Sequence, residues 1–428
     1  MRIPSGWSKA PIGSICTLQN GRAFKASDWE KTGLPIVRIQ NLNNPDAQYN
    51  HFQGAVEAKN KLRGGELLFA WSGTPGTSFG AHIWHGSEAV LNQHIFRVDF
   101  DERYLDKRFF RHAINQRLAE LIDTAHGGVG LRHVTKGKFE ATDILVPPRK
   151  EQMRIADKLD ALLARVDACR ERLDRVPGIL KRFRQSVLAA AASGELTREW
   201  REERGLQQDW RQTLVVDVAT QVFDGPFGSH LKSKDYADEG VRVVRLENIG
   251  PLRFIEEKRT YIPQEKYESL MRHTLFAGDI LFSSFVDEEV RVCLLPEQLD
   301  GQAINKADCF CIRTNIDHCR PGFLALRLAC RETFEALDDV IHGATRPRIN
   351  LSQLRTIVFE LPSLDEQDEI VRRSSTLLDQ ADALELRLRM VRACVDRMAP
   401  SSLAKAFRGE LVPQDPSDEP ASDLLARI

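Results

Sequence analysis

The chain is an internal duplication, and this constrains its fold more than any other feature of the sequence. VPPRKEQMRIADKLDALLARVDA (146–168) matches LPSLDEQDEIVRRSSTLLDQADA (361–383), and SVLAAAASGELT (186–197) matches SSLAKAFRGELV (401–412). At a constant offset of 362 − 147 = 215, 19 of the 51 residues from 147 to 197 are identical to their counterparts. A repeat of this length indicates two halves that fold into similar structures.

Upstream of each matched segment the resemblance is weaker and its offset drifts. The run from Ile36 to Asn41 parallels the run from Val243 to Asn248, and Trp7 and Trp210 open the two halves. Each half is therefore a variable module followed by a well-matched segment. We expect five regions: a first module (1–146), a first helical region with a linker (147–205), a second module (206–361), a second helical region (362–412) and a flexible C-terminal tail (413–428).

The matched segments have the spacing of a coiled coil. Their apolar residues recur at alternating steps of four and three over three to four heptads, with Ser374 at one position of the second seam. Two such seams in one chain predict an antiparallel pair of helices of about 30 residues, a rod of roughly 45 Å. We expect Pro177 and Gly178 to kink or break the first helix and Pro400 to end the second. The alternative is two amphipathic helices that each lie on their own module.

The variable modules combine short β-like runs with one helical stretch each. The runs are LPIVRI, ELLFAW and HIFRVDF in the first module and VRVVRL, DILFSSF and DCFCIRT in the second, and the helical stretches are 104–122 and 321–341. This pattern predicts an α+β fold with mainly antiparallel sheet. The whole chain is then two similar heads at opposite ends of the helical rod, related by a pseudo-twofold axis.

Composition excludes several classes of protein. Sixty Lys and Arg against 61 Asp and Glu give a net charge of −1, so DNA binding would depend on local patches rather than on a basic coat. Residues 1–146 contain 18 basic and 14 acidic side chains, whereas residues 206–361 contain 19 and 24. No run is apolar enough for a membrane span or an export signal. Eight cysteines in 428 residues favour a reduced, cytoplasmic protein.

Polar and basic loops in both modules are candidates for DNA contact. Gly-rich turns precede LRHVTKGKF in the first module and RPRINLSQL in the second, and NGRAFKASDW (20–29) parallels GPFGSHLKSKDY (225–236). Such side chains suit phosphate contacts and base-edge reading, although a solvated surface turn would look the same. The candidates are Asn20, Arg22, Lys25, Arg132, His133, Lys136, Ser229, His230, Lys232, Arg346, Arg348 and Asn350.

No constellation of catalytic residues is convincing. The sequence has no N-P-P-Y or D-P-P-Y tetrapeptide, no Walker loop and no H-E-x-x-H. Pro45 and Asp46, followed by the run from Glu57 to Lys59, spell a P-D…E-x-K nuclease string, for which a polar loop is the simpler interpretation. Cys309, Cys311, Cys319 and Cys330 lack zinc-site spacing, so we expect them in the core.

The repeat resembles a known family. VPPRKEQ with SVLAAAASGEL, and LPSLDEQ with SSLAKAFRGEL, are similar to the conserved regions of the specificity subunit of type I restriction–modification enzymes. GPFGSHLKSKDY followed by GVRVVRLENI is similar to the opening of one of its target-recognition domains. The resemblance covers essentially the whole chain.

The resemblance implies a non-catalytic subunit that binds double-stranded DNA. Each target-recognition domain would read one half of a bipartite, asymmetric site, while the coiled coil sets the spacing and docks two methylation subunits. Those subunits would bring S-adenosylmethionine and attach motor–nuclease (restriction) subunits, which use ATP and Mg. No cofactor or metal is expected on this chain. The residues implied in partner binding are Glu151, Gln152, Glu195, Glu366, Gln367 and Glu410.

Three alternatives to this function stay open. The chain could be the recognition subunit of another restriction class, or an orphan that pairs with unrelated methylases. From a different class of protein, it could be a self-sufficient nuclease built on the P-D…E-x-K string.

Overall fold

The structure is a computed structural model that describes residues 3–44, 46–73, 79–123, 132–286, 289–341 and 348–428. The chain forms two compact units. The first unit contains the chain up to Leu173 and again from Met390 to Ile428, and the second unit contains the stretch from Asp174 to Arg389. Each unit therefore holds one variable module together with parts of both helical regions.

The first module consists of short strands and short helices. Its strands are β1 (Ser8–Pro11), β2 (Thr17–Asn20), β3 (Leu34–Val37), β4 (Asn50–Phe52), β5 (Lys61–Leu62), β6 (Leu67–Ala70), β7 (Ser72–Gly73), β8 (Gly80–Ile83), β9 (Ala89–Leu91), β10 (Ile95–Asp99), β11 (Arg132–His133) and β12 (Asp143–Val146). Its helices are α1 (Ile39–Asn43), α2 (Lys107–Gln116), α3 (Leu118–Asp123) and α4 (Lys136–Glu140). The long helix α5 (Arg149–Ala192) follows directly.

Two four-stranded sheets form the centre of the first module. The order β2-β10-β6-β8 is antiparallel throughout, and the order β4-β3-β9-β5 contains one parallel pair, β3 with β9. Two-stranded pairs, β1 with β12 and β7 with β11, complete it. The predicted α+β class with mainly antiparallel sheet is confirmed.

The second unit repeats these elements. After α6 (Arg198–Glu203) come β13 (Arg211–Leu214), β14 (Ala219–Phe223), β15 (Val241–Val244), β16 (Tyr261–Ile262), β17 (Thr274–Leu275), β18 (Ile280–Ser283), β19 (Val292–Leu294), β20 (Ala303–Asn305), β21 (Cys309–Thr314) and β22 (Val358–Leu361). The helices are α7 (Gln264–Glu268), α8 (Pro321–Leu328), α9 (Arg331–Ile341), α10 (Leu351–Arg355) and the long α11 (Leu364–Ala406), which runs on into the first unit.

The sheets of the second unit have the same topology as those of the first. The orders are β14-β21-β18-β19 and β16-β15-β20-β17, and β15 with β20 is again the parallel pair. A single bridge between Phe285 and Arg348 stands where β7 pairs with β11 in the first unit. Each helical stretch expected as one helix is two, α2 with α3 and α8 with α9. In the second unit the Thr333 hydroxyl accounts for one carbonyl freed at this break, because it donates to the Arg327 oxygen (2.9 Å).

The expected break at Pro177 and the expected helix end at Pro400 are wrong, whereas a kink at Pro177 stays a prediction. Helix α5 continues through Pro177 for 44 residues, and α11 continues through Pro400 for 43 residues. A proline inside a helix removes one hydrogen bond and costs about 3 kcal/mol. Both prolines are exposed, and buried apolar residues such as Val166, Leu180 and Val187 lie on either side of Pro177. Packing of the flanking turns outweighs the local cost.

Within each unit the segments of α5 and α11 pack antiparallel. In the second unit Arg184 pairs with Asp382 (2.6 Å), while farther along α5's direction the Leu196 carbonyl accepts from Arg373 (3.1 Å). In the first unit Arg170 pairs with Asp396 (3.1 Å). The seam of α11 is only half covered. Ser374, Ala381 and Val395 are buried, but three other seam residues are about half exposed: Leu384, Val391 and Met398.

The expected flexible tail is instead part of the first unit. Helix α12 (Ala421–Leu425) buries Ala421 and Leu424. The buried Asp418 carboxylate pairs with Arg154 of α5 (2.7 Å). The Ala421 amide donates to the Gly6 carbonyl (2.9 Å), so the two ends of the chain are in contact. No helix in the described part of the chain is long and apolar enough to cross a membrane.

Candidate nucleic-acid interface

In the first unit, aromatic and imidazole rings meet where β7, β11 and the turn before β10 come together. Trp71 lies with its ring centroid 5.3 Å from that of His94 and 5.8 Å from that of His133. The Ser72 hydroxyl is 2.9 Å from Nδ1 of His133. Strand β11 places His133 opposite Ser72. The cluster therefore combines flat rings with hydrogen-bonding groups at the end of a sheet.

Two polar atoms of this cluster have no partner among the described residues. Nε1 of Trp71 and Nδ1 of His94 are shielded from solvent and make no hydrogen bond within the described part of the chain. Burial lowers the pKa of His94, and the neighbouring His133 and Arg38 lower it further. The His94 imidazole is therefore neutral at physiological pH. Such groups can exchange neutral hydrogen bonds with a ligand.

The second unit builds the same place from different side chains. The Arg348 guanidinium lies 4.6 Å from the Phe285 ring centroid, and its Nη2 donates to Oδ2 of Asp308 (3.0 Å). The strand registers give the equivalences between the units, because β10 aligns with β21 and β7 with the Phe285 bridge. By these registers Arg348 takes the place of His133, Asp308 that of His94 and Phe285 that of Ser72.

A buried carboxyl group lies beneath the loop of Asp308. Oδ1 of Asp224 accepts from the backbone amides of Gly225 (2.7 Å) and Asp308 (2.9 Å). Burial raises the pKa of Asp224 to about 6, an effect that the Asp308 carboxylate reinforces and the Gly225 amide opposes. Register places Asn20 at the equivalent position of the first unit. The backbone of Gly225 lies so close to Lys306 that a side chain would not fit there.

A second loop in each unit pairs a basic residue with an aromatic ring. In the first unit the Arg38 guanidinium lies 5.3 Å from the half-exposed Trp29 ring. In the second unit Arg245 lies 5.8 Å from the Tyr236 ring, and Lys306 donates to the Tyr236 hydroxyl (2.6 Å). Basic groups beside flat rings suit contact with nucleic acid.

The DNA-binding candidates from the sequence divide by what their side chains do. Lys25, His230 and Lys232 are exposed on the loop that carries Trp29 or Tyr236. Arg22 stacks on Phe52 (4.6 Å). Asn350 caps α10 by accepting from the Gln353 amide (3.0 Å), so part of its hydrogen-bonding capacity serves the fold. Two further candidates stand at the ends of β2 and α4, Asn20 and Lys136.

Three candidates lie partly or wholly outside the described residues. The structure describes only the backbone of Arg132 and Ser229, and Arg346 falls outside the described ranges. The Gly-rich turns at 127–130 and 343–345 also lie outside them. For these positions the predictions stand as made.

Sequence reasoning missed several residues of these sites, two in the first unit and three in the second. They are Trp71, His94, Asp224, Tyr236 and Asp308. The signal that could have found some of them is the repeat itself. Once β6 is aligned with β18 at an offset of 213, Ser72 aligns with Phe285, and positions where the two modules differ stand out within matched strands.

Four of the six expected partner-binding residues are buried, which corrects that expectation. Glu151 and Glu366 accept from the indole nitrogens of Trp7 (3.0 Å) and Trp210 (2.9 Å). The side-chain oxygen of Gln152 accepts a hydrogen bond from the backbone amide of Asp106 (2.8 Å), and that of Gln367 accepts one from the backbone amide of Arg320 (2.7 Å). All four are at most 4% exposed. They join each module to the start of its long helix and cannot touch a partner, whereas Glu195 and Glu410 are exposed.

The candidate metal and nuclease residues make no such site. Glu57 pairs with Lys59 (2.7 Å), and the amide of Asp46 donates to the Asn44 side chain (3.0 Å). Cys309, Cys311, Cys319 and Cys330 are buried in the core, as expected. Within the described residues, no group of three or more His, Cys, Asp or Glu is placed to hold a metal ion.

The matched family model decides the relationship. Residues 4–177 and 276–389 match the type I restriction modification DNA specificity domain. The chain belongs to this family. As a specificity subunit, it is a non-catalytic part of a type I restriction–modification system and carries its DNA sequence specificity.

Relatives of this specificity subunit match it over nearly their whole length. It is 30% identical to the specificity subunit of the type I restriction enzyme EcoBI of Escherichia coli, over 100% of this chain and 90% of that relative. It is 28% identical to the EcoKI specificity subunit of Escherichia coli strain K12, over 99% and 93%. The alternative of a self-sufficient nuclease is not favoured.

Solved structures share the fold of the specificity subunit. One, from work on complex assembly and conformational transition of the type I system, superposes with a TM-score of 0.67 at 20% identity, over 96% of this chain and 100% of that one. The HsdS subunit from Thermoanaerobacter tengcongensis superposes with a TM-score of 0.59 at 19% identity, over 96% and 99%.

Proposed function

We propose that each unit of the specificity subunit reads one half of a bipartite, asymmetric site in double-stranded DNA. The observation that carries this proposal is the duplicated cluster: the same strand ends and loops present His94 and His133 in one unit and Asp308 and Arg348 in the other. Similar backbones with different reading groups are what an asymmetric target requires. In the major groove each base pair presents its own pattern of hydrogen-bond donors and acceptors, and polar side chains such as these can distinguish the patterns.

The substitution Arg348→Ala tests this proposal in the second unit. Replacing Arg348 with alanine should weaken binding to the specific site by about 1–3 kcal/mol, because arginine pairs two donors with the O6 and N7 atoms of guanine. Binding to unrelated DNA should change little. Titration of fluorescent duplexes with and without the site, by the complex with its methylation subunits, measures both affinities. The site itself comes from sequencing methylated DNA of a host that carries the system.

The two outcomes against this prediction are distinct. Equal weakening on all sequences would make Arg348 a phosphate contact. No change on either duplex would remove the loop from the interface. The substitution Arg331→Ala is the matched control, because Arg331 is an exposed arginine of the same unit that pairs with Glu335 on its own helix (2.8 Å).

We propose that the helices dock two methylation subunits, one on each unit. The support is apolar surface left uncovered on the helical segments. Met390, Val391 and Met398 are 59%, 47% and 48% exposed in the first unit. In the second unit the exposed apolar residues are Ile179, Phe183, Leu384 and Leu386. A seam with one open row fits a further helix from a partner. Glu195 and Glu410 flank the docking surface as polar contacts in this proposal.

The substitution Val391→Asp tests the docking surface. A carboxylate there should weaken binding of the methylation subunit by about tenfold or more, because the partner would bury a charge without a counter-ion. Pull-down titration with the purified methylation subunit measures the effect. Ala393→Asp, on another face of the same exposed stretch of α11, is the control. Equal loss in both variants, or in neither, would contradict docking through the row of Val391.

The partners supply the remaining activities in this proposal. The methylation subunits bring S-adenosylmethionine and adenine-N6 methylation, and motor–nuclease subunits with ATP and Mg join through them. Recognition for another restriction class, or pairing with unrelated methylases, differs only in these partners. The genes that neighbour the specificity subunit separate those arrangements. We further propose a cytoplasmic location, where such partners and host DNA are found.

A further inference from the structure

The Arg348 side chain is held on two sides. Its face lies on the Phe285 ring at 4.6 Å, and its Nη2 donates to Oδ2 of Asp308 at 3.0 Å. Oδ1 of Asp308 accepts from the Ser284 hydroxyl (3.3 Å). The Arg348 side chain is nevertheless 50% exposed, against 23% for Asp308. A guanidinium has five donors, so most of them are available to a ligand while its orientation is fixed.

The backbone at Asp308 adopts a conformation that side chains disfavour. Its φ is +72°, in the left-handed region. Glycine would adopt this conformation without strain. The loop is held there by two hydrogen bonds, from the Asp308 amide to Asp224 (2.9 Å) and from the Ser284 amide to the Asp308 carbonyl (2.9 Å). Among residues other than glycine, aspartate and asparagine adopt this conformation most readily.

The first unit has no carboxylate at the equivalent position, and its turn has a different backbone, because the described non-glycine residues with positive φ are Leu252 and Asp308. His94 occupies the register position of Asp308 and lies beside Trp71, and the neighbouring strands have the same order. The turn of the second unit is held through the amide and carbonyl of Asp308, whereas its carboxylate oxygens accept from Arg348 and from the Ser284 hydroxyl. The Asp308 carboxylate therefore makes side-chain contacts that the first unit lacks, and under the proposed function the two units differ in the half-site that they read.

We propose that Asp308 is a specificity-determining positioning residue, which orients the Arg348 guanidinium toward a guanine edge and repels phosphate. This inference rests on the proposed function. A lone arginine binds phosphates of any sequence and so favours non-specific DNA. Pairing with a carboxylate removes most of that attraction, because the pair is neutral. A base edge that offers two aligned acceptors can still form two hydrogen bonds with the oriented guanidinium. The excess of acidic residues in the second module, 24 against 19, agrees with recognition that depends little on bulk charge.

The substitution Asp308→Asn separates orientation from folding, since asparagine also tolerates the left-handed region. The complex with its methylation subunits is titrated with two duplexes over a range of salt concentrations. One duplex contains the site identified by sequencing methylated DNA, and the other is the same duplex altered in one half-site. Asp308→Asn should bind the altered duplex about threefold or more tightly, with a salt slope steeper by up to about one ion. The ratio of specific to altered affinity should fall by about tenfold.

Two comparisons make the result decisive. Asp317→Asn removes the same charge from an exposed loop of the same unit and should leave the ratio unchanged. Asp308→Asn combined with Arg348→Ala should lose no more specificity than Arg348→Ala alone, because the first residue acts through the second. A rescue or an additive loss would overturn the positioning role.

The failures of the two proposals differ. If Asp308→Asn weakens both duplexes equally, or leaves the ratio intact while Arg348→Ala lowers it, the role of Asp308 is wrong and the proposed function stands. If the wild-type complex does not distinguish the duplexes, or Arg348→Ala has no effect, the reading site itself is wrong.

Discussion

Replacing Glu366 with alanine should lower the free energy of unfolding of the second unit by about 3–5 kcal/mol. Glu366 is 4% exposed and pairs with Arg201, which is 6% exposed. It also accepts from the Thr197 hydroxyl (2.8 Å) and the Trp210 indole (2.9 Å). Removing the carboxylate leaves a guanidinium buried without a counter-charge and the Trp210 indole without this acceptor, while the Thr197 hydroxyl keeps only its longer bond to the Gly194 carbonyl (3.4 Å).

Denaturant unfolding followed by tryptophan fluorescence measures the change. Glu195→Ala is the matched control, since Glu195 is exposed, pairs with Arg198 (3.1 Å) and should change stability by no more than about 0.5 kcal/mol. Replacing both members, as Arg201→Met with Glu366→Leu, should recover at least half of the loss, because no charge is then buried alone. A stable Glu366→Ala protein that had lost only its methylation subunits would restore the partner-binding role.

Adding seven residues to each long helix should change the DNA site that is recognised. We propose that α5 and α11 set the spacing between the half-sites, because both helices run through the two units as continuous elements. One heptad adds about 10.5 Å to each helix, the rise of about three base pairs. The insertions after Leu173 and after Arg389 lie between two ion pairs, Arg170–Asp396 and Arg184–Asp382. Both ion pairs would therefore be kept in the variant.

The expected result is a fall in affinity for the natural site on the order of 10³-fold, toward non-specific binding. Selection from a library of spacers should return a spacer longer by about one to three base pairs. Each added base pair also rotates one half-site around the DNA axis, and this rotation limits how many base pairs can be added. Seven residues inserted into the exposed segment 205–209 are the control and should leave the spacer unchanged. If the variant with the added heptads kept the natural spacer, the long helices would not set the spacing between the half-sites.

Much of the architecture follows from patterns that tertiary structure rarely overrides. The duplication predicted two similar units, and alternating apolar runs predicted strands that include β6, β10, β18 and β21. The heptad spacing predicted the antiparallel helices. Local rules were less reliable than these long patterns. Pro177 satisfies the rule for a helix break, but the turns on either side are packed, and a single lost hydrogen bond does not end a helix of 44 residues.

The candidate site was harder to predict for two physical reasons. The resemblance implies a partner surface at repeated polar residues such as Gln152 and Gln367, but these side chains are buried and accept hydrogen bonds from the backbone amides of Asp106 and Arg320. Asp308 lies in a short loop without periodicity, and its equivalent is a histidine, so alignment of the halves gives no common residue type there. Its role depends on contacts with Arg348 and Asp224 that only the folded chain creates.

The hydrogen bond between the Ala421 amide and the Gly6 carbonyl joins the two ends of the polypeptide. Residues 202–209, by contrast, are exposed and follow SVLAAAASGELT (186–197), the first copy of the segment that ends each half. A circularly permuted protein, with its old ends fused and new ends opened near Gly205, would keep the internal contacts of both units. We therefore expect the fold to form with either order of the two modules along the chain.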